Sequence, residues 1–380
     1  MKKLGFGCMR LPLLKNDDPT SFDFEKIETL FDRFLEKGFT YFDTAYTYHG
    51  YHSEEAVRKA LVERHPRESF QLATKLPVRE CSSEEDLEKI FQEQLQNCGV
   101  TYFDYYLLHN LGQMVYDRCG KYDVFHFLQR KKHEGKIKQG GFSFHDTPEL
   151  LEEILEKYGD CVDFVQLQIN YLDWEQPTVQ SRRCLEIANR HHKPVIVMEP
   201  VKGGTLAKVS PEVEEKLRAV HPEDSPAKWA MRYAAGQEGV VMVLSGMNSM
   251  EQVEENTETF LHLQPLTEEE HAVIREVREI INRETPIACT GCEYCTHGCP
   301  KHIAIPQYFA LYNSTAQLTQ GGFNSRGVYY RNISLAAGSK ASECIGCGAC
   351  ENACPQHLPI RDYLKDVVEK LENLPLPARR

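Results

Sequence analysis

Eight short apolar runs, at 4–9, 39–45, 70–76, 102–109, 137–144, 163–170, 194–200 and 240–247, alternate with segments of helical periodicity. Most, such as "PVIVMEP" and "VVMVLSGM", are too continuously apolar for a sheet with one wet face. They predict parallel strands buried on both sides. In 23–37, Ile27, Leu30, Phe31, Phe34 and Leu35 share one helical face, and Gly38 is placed to end the helix. In 84–98, Leu87, Ile90, Phe91, Leu95 and Cys98 do the same, with Ser82 and Glu85 read as a capping box. Eight strand–helix units in about 260 residues predict an α/β fold of the (β/α)8 TIM-barrel type. A doubly wound open sheet is the alternative. It usually carries a glycine-rich phosphate loop after its first strand, and "GFGCMRLP" is not G-x-G-x-x-G.

Beyond the barrel the chain changes character. A helix over 268–282, opened by Thr267 with Glu270, is followed by "RETPIA" (283–288), which reads as a linker. The division expected is a barrel over 1–265, a connecting helix and linker over 266–288, and a separate unit over 289–380. That last unit contains a repeat at a 55-residue offset: "CTGCEYCTHGCPKHIAI" (289–305) against "CIGCGACENACPQHLPI" (344–360). His302 pairs with His357, Ile305 with Ile360, and Tyr308 with Tyr363.

Four cysteines at C-x2-C-x2-C-x3-C, with proline after the last, suit a cubane cluster better than zinc. Structural zinc usually draws on two separated pairs of ligands. The motif resembles that of two-cluster ferredoxins, in which the fourth cysteine ligates the other cluster. That resemblance implies one [4Fe-4S] cluster on Cys289, Cys292, Cys295 and Cys354, and a second on Cys344, Cys347, Cys350 and Cys299. The 44 residues between Cys299 and Cys344 include a helical pattern, "IPQYFALYNSTAQ". The unit is therefore similar to the α-helical, ferredoxin-like domains, not the compact β-rich ones. Of the remaining cysteines, Cys81, Cys98, Cys119, Cys161 and Cys184 are expected to be small buried hydrophobes. Cys8 falls in a candidate cofactor loop.

Asp43, Lys75 and His109 end three successive predicted strands, and Tyr48 follows Asp43 by five residues. In a (β/α)8 barrel those strand ends converge on the catalytic face. Singly each is weak, because a strand-end histidine is more often structural and the chain has 18 tyrosines. Together they make chemical sense. A phenol is a poor acid at neutral pH, and a neighbouring ammonium is expected to lower its pKa. Lys75 would do this for Tyr48, Asp43 would hold Lys75, and His109 would orient the substrate oxygen or relay the proton.

The stretch "FDTAYTYHGYHSEEAVRKAL" (42–61) resembles the signature of the aldo-keto reductase superfamily, and the likeness covers about residues 1–265. The whole chain is similar to a prokaryotic subgroup with a C-terminal ferredoxin-type domain, through "GFSFHD" (141–146), "NYLD" (170–173), "MEPVKGG" (198–204) and "LSGM" (244–247). The resemblance implies carbonyl reduction by NADP or NAD at a tetrad of Asp43, Tyr48, Lys75 and His109. It implies that Ser143 and Gln166 hold the nicotinamide amide, and that Met198 stands where many members stack an aromatic ring. Met198 as simple core packing is the plainer alternative. Ser245, Gly246, Met247, Gln252 and Asn256 are implied to lie along the adenosine end, with Met9 and Arg10 near the middle of the cofactor. Gly246 and Gln252 occupy positions where NADPH-preferring members place a cation.

Nicotinamide moves two electrons as hydride, whereas each cluster moves one. Three functions follow. The first is nicotinamide-dependent reduction of a small-molecule carbonyl, with the clusters as an electron port or a structural clamp. The second places FMN on the same barrel face, fed by a ferredoxin-like partner. The third is a redox-sensing binding module with an idle barrel. A net charge of -12 with no basic patch speaks against a nucleic-acid surface and favours a partner with a basic one. Arg10 and Pro12 interrupt the N-terminal apolar stretch too early for a signal peptide, and no apolar run reaches the ~18 residues of a membrane span. A cytoplasmic protein is expected. The loops that would set substrate choice, such as "LGQMVYDRCG" (111–120), match no binding motif.

Overall fold

The eight apolar runs become eight strands: β1 (Leu4–Gly7), β2 (Tyr41–Asp43), β3 (Gln71–Leu76), β4 (Phe103–Leu111), β5 (Ile137–Phe144), β6 (Phe164–Gln168), β7 (Val195–Met198) and β8 (Val240–Ser245). All pair in parallel and in chain order, and β8 returns to β1 to close the barrel, which rules out the open sheet. The structure is a computed structural model that describes residues 2–15, 18–176, 179–283, 286–287, 289, 291, 293–316, 326–354 and 357–374.

Side chains alternate across each strand, so parity decides which face a residue joins. One face turns inward. Tyr41, Ala73, Leu107, Phe164, Ile196, Met242 and Leu244 fill the barrel lumen as one apolar cluster. The opposite parity packs outward under the helices. Two glycines make room inside. A methyl group on Gly5 would stand 2.7 Å from Leu244 and 2.8 Å from Tyr41, and one on Gly141 would meet the Phe164 carbonyl oxygen at 2.5 Å and its ring at 2.8 Å.

The helix Phe24–Glu36 is capped by Asp23 and followed by Gly38 at φ +75°. Ile27, Leu30, Phe31 and Phe34 are buried, and Leu35 is partly so. The helix Glu84–Cys98 has the bounds the sequence pattern suggests, but its cap lies one residue later than expected. Its capping box is Ser83 with Asp86, not Ser82 with Glu85. The carboxylate of Asp86 accepts from the backbone N–H groups of both Ser82 (2.7 Å) and Ser83 (3.1 Å), and this double contact fixes the register. The helix Glu268–Arg283 does open on Thr267 with Glu270. Glu270 also accepts from Arg232 at 2.6 and 3.1 Å. Ile274, Val277 and Ile280 pack with Leu217 and Trp229, so this helix is tied to the barrel.

The C-terminal unit is a set of short helices around an apolar centre that includes Ile303, Tyr308, Phe309, Ile360 and Leu364. The sequence repeat is also a backbone repeat. Gly291 and Gly346 share φ of +71°, Glu293 and Gly348 have +64° and +76°, and His302 and His357 have +53° and +51°. Its helix Arg326–Ala337 leans on the mouth of the barrel, where Asn332 Nδ2 donates to the carbonyl of His145 at 3.0 Å.

Gly141→Ala forces a methyl group against a backbone oxygen that cannot swing away. Such overpacking costs roughly 1–3 kcal/mol, so urea denaturation should show a lower midpoint with an unchanged slope. An unchanged midpoint would mean that the lumen has slack at this level.

Candidate active site

The inward parity that fills the lumen carries on to the C-terminal mouth. Asp43 lies two residues beyond Tyr41, Lys75 beyond Ala73, His109 beyond Leu107, Ser143 beyond Gly141, Gln166 beyond Phe164 and Met198 beyond Ile196. Lys75 is 1% exposed, a charge at the floor of the mouth. Its Nζ donates to Asp43 Oδ1 at 2.5 Å, to the Thr44 carbonyl at 2.7 Å and to Tyr48 OH at 3.3 Å. Gln166 Nε2 donates to the other oxygen of Asp43 at 3.2 Å. Burial alone would strip the proton from Lys75. The adjoining Asp43 carboxylate and Tyr48 outweigh it and hold the lysine pKa above its ordinary value.

Tyr48 departs from expectation. Lys75 does pull its pKa down, but burial pushes it up further, and the net displacement is upward. A desolvated phenolate costs more than an ammonium at 3.3 Å returns. The His109 ring stands edge-on to Tyr48 with centroids 5.8 Å apart. Burial, with Lys75, His145 and Arg79 nearby, holds its pKa well below the usual histidine range, so it is neutral.

These groups open into a pocket of about 880 Å³, counted with its mouth. Of the residues the sequence singles out, Met9, Arg10, Asp43, Tyr48, His109, Ser143, Gln166, Met198, Ser245 and Gly246 line it. Met198 is partly exposed and forms part of the pocket wall, so it is not simple core packing. Lys75 sits beneath the floor. Asn256 stands behind the wall and donates to Ser245 Oγ at 3.1 Å. Gln252 accepts from the Asn248 N–H at 2.8 Å, and Met247 is buried in the core. Cys8 is buried too, and burial raises its thiol pKa far out of the reactive range. Asn110, His145, Glu199 and Gly203 also line the pocket, and sequence reasoning did not assign them roles. His145 had a signal, since it continues the inward parity of Ser143. Glu199 lies in the quoted stretch "MEPVKGG", but its φ of +54° at a non-glycine position just beyond β7 breaks the strand parity, so spacing does not place its side chain. Two buried polar atoms in the wall, Arg10 Nε and Asn110 Oδ1, have no hydrogen-bond partner among the described residues. An Arg10 Nε–H without an acceptor suits an anionic ligand, as a dinucleotide would be.

Behind Lys75 a second buried acid braces β3. Glu54 Oε1 accepts from Thr74 Oγ1 (2.6 Å) and Gln94 Nε2 (2.8 Å), and its other oxygen from Asn97 Nδ2 (3.1 Å). Gln94 Nε2 also lies 3.1 Å from the Lys75 carbonyl.

In the C-terminal unit Cys299, Cys344, Cys347 and Cys350 line one cavity of about 320 Å³. Thus the fourth cysteine of the first motif lies with the first three of the second. Cys289, Cys295 and Cys354 belong to the same apolar cluster, and Cys292 lies outside the described residues. Among the described residues, no three His, Cys, Asp or Glu side chains are spaced for a single metal ion. Cys81, Cys98, Cys119 and Cys184 are buried as expected, and Cys161 is partly exposed.

A closed barrel of eight parallel strands with a polar mouth is joined to a helical cysteine-rich unit, a composite build whose two parts match two known families. Residues 3–279 match the aldo/keto reductase family and residues 288–358 match a 4Fe-4S dicluster domain. The chain belongs to the aldo/keto reductase family and carries a C-terminal 4Fe-4S domain. It is 25% identical over 300 residues to the uncharacterized oxidoreductase YqkF of Bacillus subtilis (strain 168), covering 71% of this chain and 90% of that one. It is 32% identical over 154 residues to probable aldo-keto reductase 1 of Glycine max, covering 38% and 41%. Among solved structures it resembles aldo-keto reductase AKR11C1 from Bacillus halodurans in its holo form, with a TM-score of 0.58 and 25% identity over 72% of this chain and 91% of that one. The aldo-keto reductase from Klebsiella pneumoniae in complex with NADPH shares the fold, with a TM-score of 0.57 and 20% identity over 73% and 90%. No described helix is long and apolar enough to cross a membrane.

Burial raises the pKa of Glu54 from 4.5 to about 7, against the pull of its three amide and hydroxyl partners. The folded value lies above the unfolded one. Its contribution to stability is therefore complete below about pH 4.5 and lost as pH rises through about 7. Glu54→Gln cannot ionise. Its stability relative to wild type should rise between pH 5 and pH 8.5 by up to about 3 kcal/mol, read from paired denaturation curves. A constant difference would show that Glu54 is ionised throughout.

Proposed function

We propose that this chain reduces the carbonyl group of a small molecule with a nicotinamide dinucleotide, NADP(H) or NAD(H), at Asp43, Tyr48, Lys75 and His109. The observation that carries this reading is the buried Lys75 ammonium, within hydrogen-bond reach of both Asp43 and Tyr48 at the pocket floor. Relatives of the same fold are solved with NADPH and with NADP. Arg10, Ser143, Gln166, Ser245 and Gly246 would hold the dinucleotide along the pocket wall, with Asn256 bracing Ser245. When bound, the reduced nicotinamide supplies the hydride that reaches the carbonyl carbon. Lys75 donates to the phenol oxygen of Tyr48, which leaves the phenol O–H free to donate into the pocket. The upward pKa of Tyr48 keeps that proton in place until the substrate oxygen gains charge and takes it. The phenolate left behind is then stabilised by Lys75, which Asp43 keeps charged. Neutral His109 can hydrogen-bond the substrate oxygen without competing as an acid.

In this reading the barrel with its connecting helix carries the reduction, and the unit from 289 onward binds two [4Fe-4S] clusters. The cavity shared by Cys299, Cys344, Cys347 and Cys350 supports crossed ligation. Cys289, Cys292, Cys295 and Cys354 would hold the other cluster.

Tyr48→Phe should lower carbonyl turnover by about 10²–10⁴ while nicotinamide binding, followed by fluorescence, stays near wild type. Lys75→Met should act similarly. Full turnover in Tyr48→Phe would refute the assignment. Protein purified without oxygen should carry close to eight iron and eight acid-labile sulfide per chain, by the two-motif stoichiometry. If ligation is crossed, Cys299→Ser and Cys344→Ser strike the same cluster, and the double variant should keep about half the iron. Loss of nearly all iron in the double variant would favour uncrossed ligation.

A further inference from the structure

A chain of buried hydrogen bonds links the pocket wall to the cluster-binding unit, and its direction can be worked out. Asp173, wholly buried, accepts from Gln168 Nε2 at 2.7 Å, from Asn170 Nδ2 at 2.6 Å and from Lys202 Nζ. A carboxylate can only accept, so the Gln168 amide must present its nitrogen to Asp173. Its Oε1 is left facing the other way and accepts from Tyr329 OH at 3.1 Å. A phenol has one proton. With that proton directed to Gln168, the Tyr329 oxygen can only accept from His145 Nδ1, 3.1 Å away. The proton of neutral His145 therefore sits on Nδ1, and Nε2 keeps its lone pair.

The ring is neutral because burial, aided by Lys75, brings its pKa down to about 4. It lines the pocket with Tyr48 and His109, and its Nε2 has no partner among the described residues. Its backbone is pinned on both sides: its N–H donates to the Leu111 carbonyl at 3.2 Å, and its carbonyl accepts from Asn332. The Tyr329 ring stands edge-on to it, with centroids 5.6 Å apart. Tyr329 and Asn332 both belong to the helix Arg326–Ala337, so the cluster-binding unit sets the tautomer of a residue in the barrel's pocket.

We propose that His145 offers Nε2 as a hydrogen-bond acceptor to the substrate, held in that tautomer by Tyr329 as a positioning residue. The substrate class is then a carbonyl compound with a hydroxyl or amide N–H beside the carbonyl. The substrate part rests on the reduction reading above; the tautomer does not. A substrate lacking the donor leaves a buried acceptor unpaired, and such a mismatch is discriminated against strongly.

The test uses the holoprotein, NADPH, and two small aldehydes, 2-hydroxypropanal with a single hydroxyl beside the carbonyl and propanal without it. Wild type should prefer 2-hydroxypropanal in kcat/KM by about threefold to tenfold, the worth of one hydrogen bond of ordinary strength. Tyr329→Phe, with iron content and NADPH affinity intact, should lose most of that preference. Gln168→Met removes the acceptor that orients the Tyr329 hydroxyl while leaving every residue of the cluster-binding unit unchanged, and it should lose the preference too, should Tyr329→Phe fail to fold. Nitrogen-15 NMR of labelled histidine should find the His145 proton on Nδ1 in wild type and shared between the two nitrogens in either variant. A wild-type proton on Nε2, or a preference unchanged in both variants, overturns the proposal. Absence of turnover with either aldehyde would count against the reduction reading, and the NMR assignment would then decide for or against the tautomer alone.

Discussion

A lysine side chain inside a closed barrel is the constraint on which the rest of the site depends. Desolvating an ammonium costs several kcal/mol, and only a partner with good geometry offsets it. Asp43 supplies that partner, and the Thr44 carbonyl and Tyr48 take up further protons of Nζ. The arrangement also locks register. Slipping β3 by one residue would turn Leu76 toward Asp43 and press Lys75 into the apolar layer under the helices. The strand is held against such a slip by Glu54, Thr74 and Gln94, which are themselves buried and fully engaged.

Strand parity explains how much of this was legible in sequence. The eight strands were visible because each is buried on both faces and so reads as an apolar run. Their ends were less clear: β2 and β7 are shorter than their apolar runs because the chain turns sharply once it leaves the sheet. Asp43, Lys75 and His109 stood out because an ionisable group ending an apolar run is anomalous. His145 follows the same parity beyond Ser143 and was within reach of the same argument. Glu199 and Asn110 were not, because each takes a left-handed backbone conformation, Glu199 just beyond β7 and Asn110 where the β4–β5 register shifts. The direction of the Tyr48 shift was misjudged for a related reason. A spacing reveals which charges are neighbours but not how thoroughly both are desolvated.

The cysteine unit shows legibility of another kind. Its repeat was plain in spacing, and the backbone obeys it down to individual dihedrals. Where the second copy has Gly348 the first has Glu293, held in the same left-handed conformation. A non-glycine residue there costs about 1 kcal/mol, which the surrounding turn must absorb. The duplicated geometry thus overrides local preference, as expected where cysteines must converge on one place.

The helix Arg326–Ala337 has a consequence for how the molecule comes into being. A chain made from its N-terminus can close the barrel and seat Lys75 against Asp43 before that helix has been synthesised, because domains fold as units in the order they emerge. For that interval the mouth lacks Tyr329 and Asn332, and His145 has neither its proton acceptor nor the clamp on its carbonyl. The nascent chain therefore passes through a stage with Lys75 and Asp43 already paired at the floor and an unfinished wall. The last quarter of the chain to emerge brings the wall with it.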